Sequence, residues 1–173
     1  KSKSAIHIGC VGSGSVDERF RDGNHLHLRL SRVTSSLVGV DINAQGIAAM
    51  KRAGFDECLV TDIERDGIDP GLITNTDVIL VPEVLEHLSN PGLFLDHLKR
   101  LNFPGNIVFS VPNAFSYRTQ TYIKRMRVEF VHPDHHFYFS PTTLRTFFKK
   151  HGFSTISQIL YYWPSRDAFG EEL

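Results

Sequence analysis

The sequence has few cysteines, no net charge and no long apolar run, and each of these shortages excludes a class of protein. Two cysteines in 173 residues are too few for a disulfide framework, so we expect a reducing compartment. The 19 basic and 19 acidic residues cancel, and no overall field directs the chain toward nucleic acid. No apolar run is long enough to span a membrane, and none follows the basic residues at 1–3 as in a signal peptide. We therefore expect a cytoplasmic protein with no membrane partner and no favoured nucleic-acid partner.

Strand-like and helix-like segments alternate along the whole chain, with no internal repeat. We predict strands at 5–11, 36–40, 57–61, 77–81, 106–111 and 153–162, and helices at 26–33, 44–53, 91–101 and 141–151. The strand segments are continuously apolar, which is typical of a parallel sheet covered on both faces. This pattern predicts one α/β domain over residues 1–173, Rossmann-like, with a mainly parallel sheet and helices on both faces. Stretches 12–24 and 116–134 look irregular, and we predict that the second is a lid or insert.

Ligand-type residues follow four successive predicted strands, the fourth of which ends in the segment 82–87. Gly9-x-x-Gly12-x-Gly14 ends the first, and these glycines allow a tight turn and close approach of a ligand to the backbone. Asp41 follows the second strand, where a carboxylate can accept from both hydroxyls of a ribose. Asp62 follows the third, where it can accept from an adenine amine. Taken singly, these are an ordinary turn, a helix cap and a solvated acid. As an ordered series at the carboxyl ends of parallel strands, they predict a nucleoside cofactor.

The glycine spacing distinguishes between two such cofactors. A dinucleotide-binding turn has the pattern G-x-G-x-x-G, with an acid about twenty residues further on. Here the order is G-x-x-G-x-G, and Asp41 lies farther along the chain. The spacing therefore disfavours NAD.

The motifs resemble those of the class I S-adenosylmethionine-dependent methyltransferases, in particular the ubiquinone-biosynthesis type. The segments that carry the resemblance are 6–14, 38–42, 77–88, 108–113 and 132–140. The most specific is the fourth-strand segment with its Pro82-Glu83-Val84-Leu85-Glu86-His87 end. The resemblance implies S-adenosylmethionine as cofactor and methyl transfer to an oxygen or nitrogen on a small molecule or sugar-like substrate. It also implies a sheet from which the last strand of the family is missing.

The resemblance also implies roles for individual residues. The implied cofactor contacts are Gly9, Cys10, Gly12, Ser13, Gly14, Asp41, Ile42, Asp62, Ile63 and Pro82. Glu83 and His87 are the catalytic candidates. His87 is the general base if no metal binds, because imidazole exchanges protons near neutral pH. Two departures, His7 in place of the family's acid and the longer glycine spacing, leave open a degenerate cofactor-binding domain without catalysis.

A metal site is a second hypothesis for the segment after the fourth strand. Glu83, Glu86 and His87 share one face if this segment is helical, and two carboxylates with an imidazole suit a divalent cation. The arrangement resembles the small-RNA terminal 2′-O-methyltransferases, and that match makes His135 the fourth ligand. The other interpretation is that Glu-Val-Leu-Glu-His is common across the wider family and that the histidines at 132–136 form a polar loop.

The segment 116–134 is rich in basic and aromatic residues. One interpretation is a lid that favours an anionic or planar partner. The other, which we favour, is an amphipathic helix with a solvated basic face. The residues concerned are Arg118, Lys124, Arg125 and Arg127, with Tyr117, Tyr122 and Phe130 between them.

Overall fold

The computed structural model describes residues 2–129 and 131–161. Its strands are β1 (Ser4–Ile8), β2 (Ser36–Asp41), β3 (Cys58–Val60), β4 (Val78–Pro82) and β5 (Asn106–Ser110). Its α-helices are α1 (Val16–Arg21), α2 (Leu26–Ser31), α3 (Ala44–Arg52), α4 (Pro91–Arg100), α5 (Tyr117–Met126) and α6 (Pro141–Lys150). Two short 3₁₀ turns lie at Pro70–Ile73 and Leu85–His87.

The five strands form one sheet in the order β3-β2-β1-β4-β5, and every neighbouring pair is parallel. This confirms the predicted α/β architecture. Strand β1 is central, and its Ile6 pairs with Val38 on one side and Ile79 on the other. The chain order reverses between β1 and β4, so the ligand crevice of such a sheet is expected at the carboxyl ends of these strands.

The core lies between the central strands and the helices that cover them. Strand side chains such as Ile6, Ile8 and Ile79 are at most 1% exposed. Helix α4 covers the β1 and β4 side with Phe94 and Leu95, which are fully buried. No helix among the described residues combines the length and the apolar character needed to cross a membrane.

Helix boundaries follow the capping signals in the sequence. Asn90 caps α4 by accepting a hydrogen bond from the Leu93 amide, and Pro91 takes the first helical position. Ser140 and Thr143 form a reciprocal capping box at the start of α6. These two predicted helices are therefore confirmed with bounds that differ from the prediction by one residue.

The expectation of irregular structure at 12–24 was wrong. Helix α1 begins after Ser15, whose hydroxyl accepts from the Glu18 amide. Asp17 and Glu18 in the first turn also favour the positive end of the helix dipole. The Ser-x-x-Glu capping pattern at 15–18 indicates this helix, but the glycines on either side of it favour an irregular segment.

The predicted strand at 153–162 is not formed within its described part, 153–161. The Gln158 amide instead donates to the Pro141 carbonyl at 3.0 Å, and Arg145 donates to Gln158 at 3.3 Å. These contacts hold Gln158 against α6, and the segment does not join the sheet. Tyr162 lies outside the described residues.

The segment 116–134 contains α5, capped by Ser116, whose hydroxyl accepts from the Thr119 amide. None of the α5 side chains is buried. The helical interpretation of this segment is therefore correct for Tyr117–Met126. The role of a lid stays a prediction, and Phe130 lies outside the described residues.

Candidate functional site

Residues 9–14, the glycine turn, follow β1 at the carboxyl edge of the sheet. The Gly9 amide donates to the Val40 carbonyl at 2.8 Å, and the Gly12 amide donates back to the Gly9 carbonyl at 3.2 Å. A side chain at Gly9 would lie 2.7 Å from the Val84 side chain, so this position must be glycine. Gly14 has φ +80°, and nothing lies within 4 Å of the place where its Cβ would be. The turn is therefore tightly packed at Gly9, on its inner side, and open to solvent at Gly14, on its outer side.

The extra residue in the glycine spacing is Val11, and its side chain points into the core. Val11 is 2% exposed and packs against α3, where a side chain at Gly46 would collide with it. Its amide donates to the Asp41 carboxylate at 2.9 Å, and its carbonyl lies 3.1 Å from His25 Nε2. The insertion is therefore packed and hydrogen-bonded, and it leaves the outer side of the turn open.

Asp41 and Asp62 end neighbouring strands at the same edge as the glycine turn. Asp41 accepts from the amides of Val11 and Asn43, both at 2.9 Å, one on each carboxylate oxygen. Each oxygen has a second lone pair, so Asp41 holds the turn and still has capacity for hydroxyl donors. Asp62 Oδ1 accepts from Glu64 and from the next amide at 3.1 Å, and Oδ2 receives no hydrogen bond from any described residue. Two acceptors beside an open turn fit a nucleoside.

His7, which stands where the resemblance places an acid, is buried beneath the turn. It is 1% exposed, and its Nδ1 lies 3.1 Å from His27 Nδ1, so one ring donates and the other accepts. Burial, with smaller effects of the nearby His27 and His25, lowers the pKa of His7 to about 3. His7 is therefore neutral near pH 7, and the turn lacks the negative charge that the family places there.

The remaining predicted cofactor residues differ in how far they are exposed to solvent. Gly12, Ser13 and Gly14 are exposed, and Ile42 is 65% exposed. Pro82, the last residue of β4, is half-buried.

Cys10 and Ile63 are buried, so they could meet a cofactor only through their backbone atoms. The Cys10 thiol lies against Cys58, which also contacts His27 Nε2 at 3.7 Å. The hydrogen bond from Cys10, together with that of His27, lowers the pKa of Cys58 and outweighs the opposite effect of burial. This buried cluster could not be found from the sequence, because its members come from the turn after β1, from helix α2 and from strand β3.

The segment after β4 does not place Glu83, Glu86 and His87 on one face as expected. Glu83 has φ +50°, and a 3₁₀ turn follows, so the α-helical spacing does not apply. Glu83 is exposed and accepts from the Ser110 hydroxyl at 2.8 Å. Glu86 is 1% exposed with no hydrogen bond to either carboxylate oxygen, and burial, with a smaller effect of Glu83, raises its pKa to about 7. His87 points outward and is exposed.

A different group of ligand-type side chains meets at this edge: His87, His132 and His135, here called the histidine cluster. Their ligand atoms all lie within 4.8 Å of one another, and no other such group occurs among the described residues. The amides of His136 and Phe137 donate to the Glu86 carbonyl at 2.7 and 3.2 Å and hold the loop in place. Burial, followed by the charges of the other two rings, lowers the pKa of His135 and favours the neutral form. Of the four predicted ligands, only His87 and His135 belong to the cluster; Glu83 and Glu86 do not.

The buried histidines should make folding stability depend on pH. Burial lowers the pKa of His7 to about 3 and that of His25 to about 4, from an ordinary value of 6.5. Below pH 6.5 the two histidines therefore bind protons in the unfolded chain and stay neutral in the folded chain. The free energy of unfolding decreases as the pH is lowered. The raised pKa of Glu86 acts in the opposite direction, because its stabilisation is lost as the pH rises from 4.5 through about 7. The two histidines outweigh the one carboxyl.

We expect the free energy of unfolding to decrease by about 3 kcal/mol between pH 7 and pH 4. Urea denaturation across this range measures it. In Glu86→Gln the opposing contribution is gone, so the loss toward acid should be steeper. A stability that is constant or rises toward pH 4 would show that His7 and His25 are not held neutral.

The parallel sheet, with the glycine turn and two carboxylates at its carboxyl edge, is a Rossmann-like architecture, and this edge is where such folds bind their ligands. A family model described as a methyltransferase domain matches residues 12–158. The chain therefore belongs to this methyltransferase domain family, and S-adenosylmethionine is the cofactor that this membership implies.

Two curated relatives with sequence similarity to the chain are ubiquinone biosynthesis O-methyltransferases. It is 32% identical over 104 residues to the ubiquinone biosynthesis O-methyltransferase of Nitrobacter winogradskyi, covering 60% of this chain and 36% of that protein. It is 31% identical over 121 residues to the mitochondrial ubiquinone biosynthesis O-methyltransferase of Dictyostelium discoideum, covering 62% and 37%. The chain thus spans little more than a third of the length of these relatives.

Solved structures share the fold. A possible histamine N-methyltransferase from Thermotoga maritima superposes with a TM-score of 0.59 at 16% identity, covering 90% of this chain and 66% of that one. The small RNA methyltransferase HEN1 superposes with a TM-score of 0.58 at 23% identity, covering 88% and 19%. At these identities the likeness concerns the fold alone.

Proposed function

We propose that this domain binds S-adenosylmethionine at the carboxyl edge of its sheet and transfers the methyl group to an oxygen or nitrogen of a small-molecule acceptor. The observation that carries the proposal is Asp41. Its carboxylate holds the glycine turn through Val11 and stands at the end of β2, beside the open outer side of the turn. A carboxylate in this place suits the two ribose hydroxyls, and Asp62 on the next strand suits the base.

The chain's own residues need do little chemistry. When bound, the sulfonium of the cofactor supplies an activated methyl group, so the protein must mainly align the acceptor and exclude water. If the acceptor is a hydroxyl, a base must take its proton. The exposed imidazole of His87 at the end of β4 suits that role. Glu83, fixed by the Ser110 hydroxyl at 2.8 Å, suits a positioning contact beside it.

The O-methyltransferase names of the curated relatives favour an oxygen acceptor for this chain as well. The balanced charge and the two free thiols favour a cytoplasmic location and a small-molecule acceptor over nucleic acid.

Calorimetric titration of the purified protein with S-adenosylhomocysteine tests the proposal. We expect saturable one-site binding in the micromolar range, and none with NAD, because the glycine spacing is not that of a dinucleotide turn. S-adenosylmethionine should compete for the same site. Absence of binding by both sulfur nucleosides would overturn the proposal, and tighter binding of NAD would replace it with a dinucleotide function.

The histidine cluster supports a second candidate, a metal-dependent RNA-terminal 2′-O-methyltransferase. Three imidazoles whose ligand atoms lie within 4.8 Å of one another suit Zn²⁺ with one open position. His87 would then be a metal ligand and not the general base. A divalent metal would polarise a hydroxyl acceptor and lower its pKa.

Equilibrium dialysis against Zn²⁺ and Co²⁺ separates the two candidates. With a metal site, we expect one bound ion per chain and a loss of affinity of about 100-fold or more in His132→Ala. The matched control is His136→Ala, an exposed histidine of the same loop that is outside the cluster. Equal affinity in both variants would argue against a metal in this cluster.

A further inference from the structure

A positively charged side chain, that of Arg19, lies against the glycine turn. Neither the motif resemblance nor the family membership assigns a role to this residue. Arg19 of α1 reaches back to the turn, and its Nη1 donates to the Ser13 carbonyl at 2.7 Å. The same Nη1 lies 2.7 Å from the place where a Cβ on Gly12 would be. The guanidinium therefore occupies the space that the absent side chain leaves, directly against the turn.

The charge of Arg19 is not balanced locally. No carboxylate of a described residue lies within ion-pair distance of its guanidinium, although Asp17 and Glu18 are on the same helix. The side chain is half-buried, and its Nη1 uses one of five donors on Ser13. Arg19 thus presents a positive charge and unused donors beside the turn.

Backbone donors lie next to this charge. The amides of Ser13 and Gly14 donate to no described residue, and both residues are exposed. Nothing lies within 4 Å of the Cβ position of Gly14, so there is room for a ligand. Unpaired amides on a positive-φ turn beside a guanidinium are suited to a carboxylate or another small anion.

The acid that the family has beneath the turn is missing here, and the nearby Asp41 carboxylate already accepts from the Val11 and Asn43 amides. His7, buried and neutral, takes the position where the family's acid lies near the ammonium group of methionine. The turn therefore differs from the family pattern in two ways: the Arg19 guanidinium lies against it, and the acid at position 7 is missing. The guanidinium of Arg19 therefore suits the carboxylate of an amino acid placed at this turn.

We propose that Arg19 binds the carboxylate of the cofactor's amino-acid portion and that this contact replaces the missing acid in positioning it. This rests on the proposed function, because it assigns a residue to the same cofactor site. Arg19 then discriminates between nucleosides that carry the amino acid and those that lack it.

The test compares S-adenosylhomocysteine with 5′-methylthioadenosine, which has the same nucleoside and no amino acid. In Arg19→Gln, the Kd for S-adenosylhomocysteine should rise at least about tenfold, since a charge-assisted hydrogen bond is lost. The Kd for 5′-methylthioadenosine should not change. Arg19→Lys, which keeps the charge, should retain more affinity than Arg19→Gln, and higher salt should narrow the gap between them.

The matched control is Arg21→Gln, which removes an exposed arginine of the same helix and should leave both Kd values unchanged. Thermal melting of each variant reports whether it folds. An equal loss of affinity for both ligands in Arg19→Gln would mean that Arg19 only supports the turn, and no loss for either would also overturn the inference. If the unsubstituted protein binds neither ligand, the proposed function fails first.

Discussion

Replacing Asp41 with alanine should weaken the binding of S-adenosylhomocysteine at least about 100-fold, the largest effect on the affinity for this nucleoside that we expect from a single substitution. Hydrogen bonds to a charged acceptor each contribute about 1.5–3 kcal/mol, and the ribose would lose two of them. The glycine turn would also lose its tie to the Val11 amide, which is 2.9 Å from the carboxylate. Calorimetric titration of the variant measures the loss.

Asp56→Ala is the control, because Asp56 is an exposed acid beyond α3 and not at the carboxyl edge. Asp41→Asn keeps the shape of the side chain, and should fall between alanine and the unsubstituted protein. If Asp41→Ala binds S-adenosylhomocysteine as tightly as the Asp56→Ala control, Asp41 is not a ribose ligand and only accepts hydrogen bonds from the backbone before α3.

Replacing Gly39 with alanine should destabilise the fold by about 3 kcal/mol, which is the upper end for overpacking a core. The added Cβ would lie 2.6 Å from Cys58 Sγ, 2.8 Å from Cys10 Sγ and 3.0 Å from the His27 ring. All three side chains are at most 1% exposed, so none can move into solvent. Gly39 lies in the middle of β2, and the two thiols meet above it. Urea denaturation measures the change.

The size of the clash can be tested by removing one of its partners. The double variant Gly39→Ala with Cys58→Ala should recover part of the lost stability, because the shorter side chain makes room for the new methyl group. Ser36→Ala, at the exposed start of β2, should change stability by no more than about 0.5 kcal/mol. A cost below that value for Gly39→Ala would mean that the buried cluster is loosely packed.

The sheet and the ligand edge could be predicted from the sequence because local signals carry them. Continuous apolar runs mark buried parallel strands, and Asn90 and Ser140 mark helix starts. The topology rule then places Gly9, Asp41 and Asp62 together without any knowledge of tertiary contacts.

The errors arose where tertiary packing decides the outcome. Nothing in the spacing of Glu83, Glu86 and His87 reveals that Glu83 takes a positive φ, which divides the three side chains between the surface and the core. The approach of His132 to His87 depends on how the loop after α5 is tied to the Glu86 carbonyl. Likewise, Arg19 could be linked to the glycine turn only after α1 was known to exist.

A crystal structure of the protein with S-adenosylhomocysteine tests the central claim most directly. The account predicts the adenosine at the carboxyl edge of the sheet, with the ribose hydroxyls on Asp41, the adenine amine near Asp62 and the amino-acid carboxylate beside Arg19. Ligand density elsewhere on the molecule, or a nucleoside that makes no contact with Asp41, would contradict it.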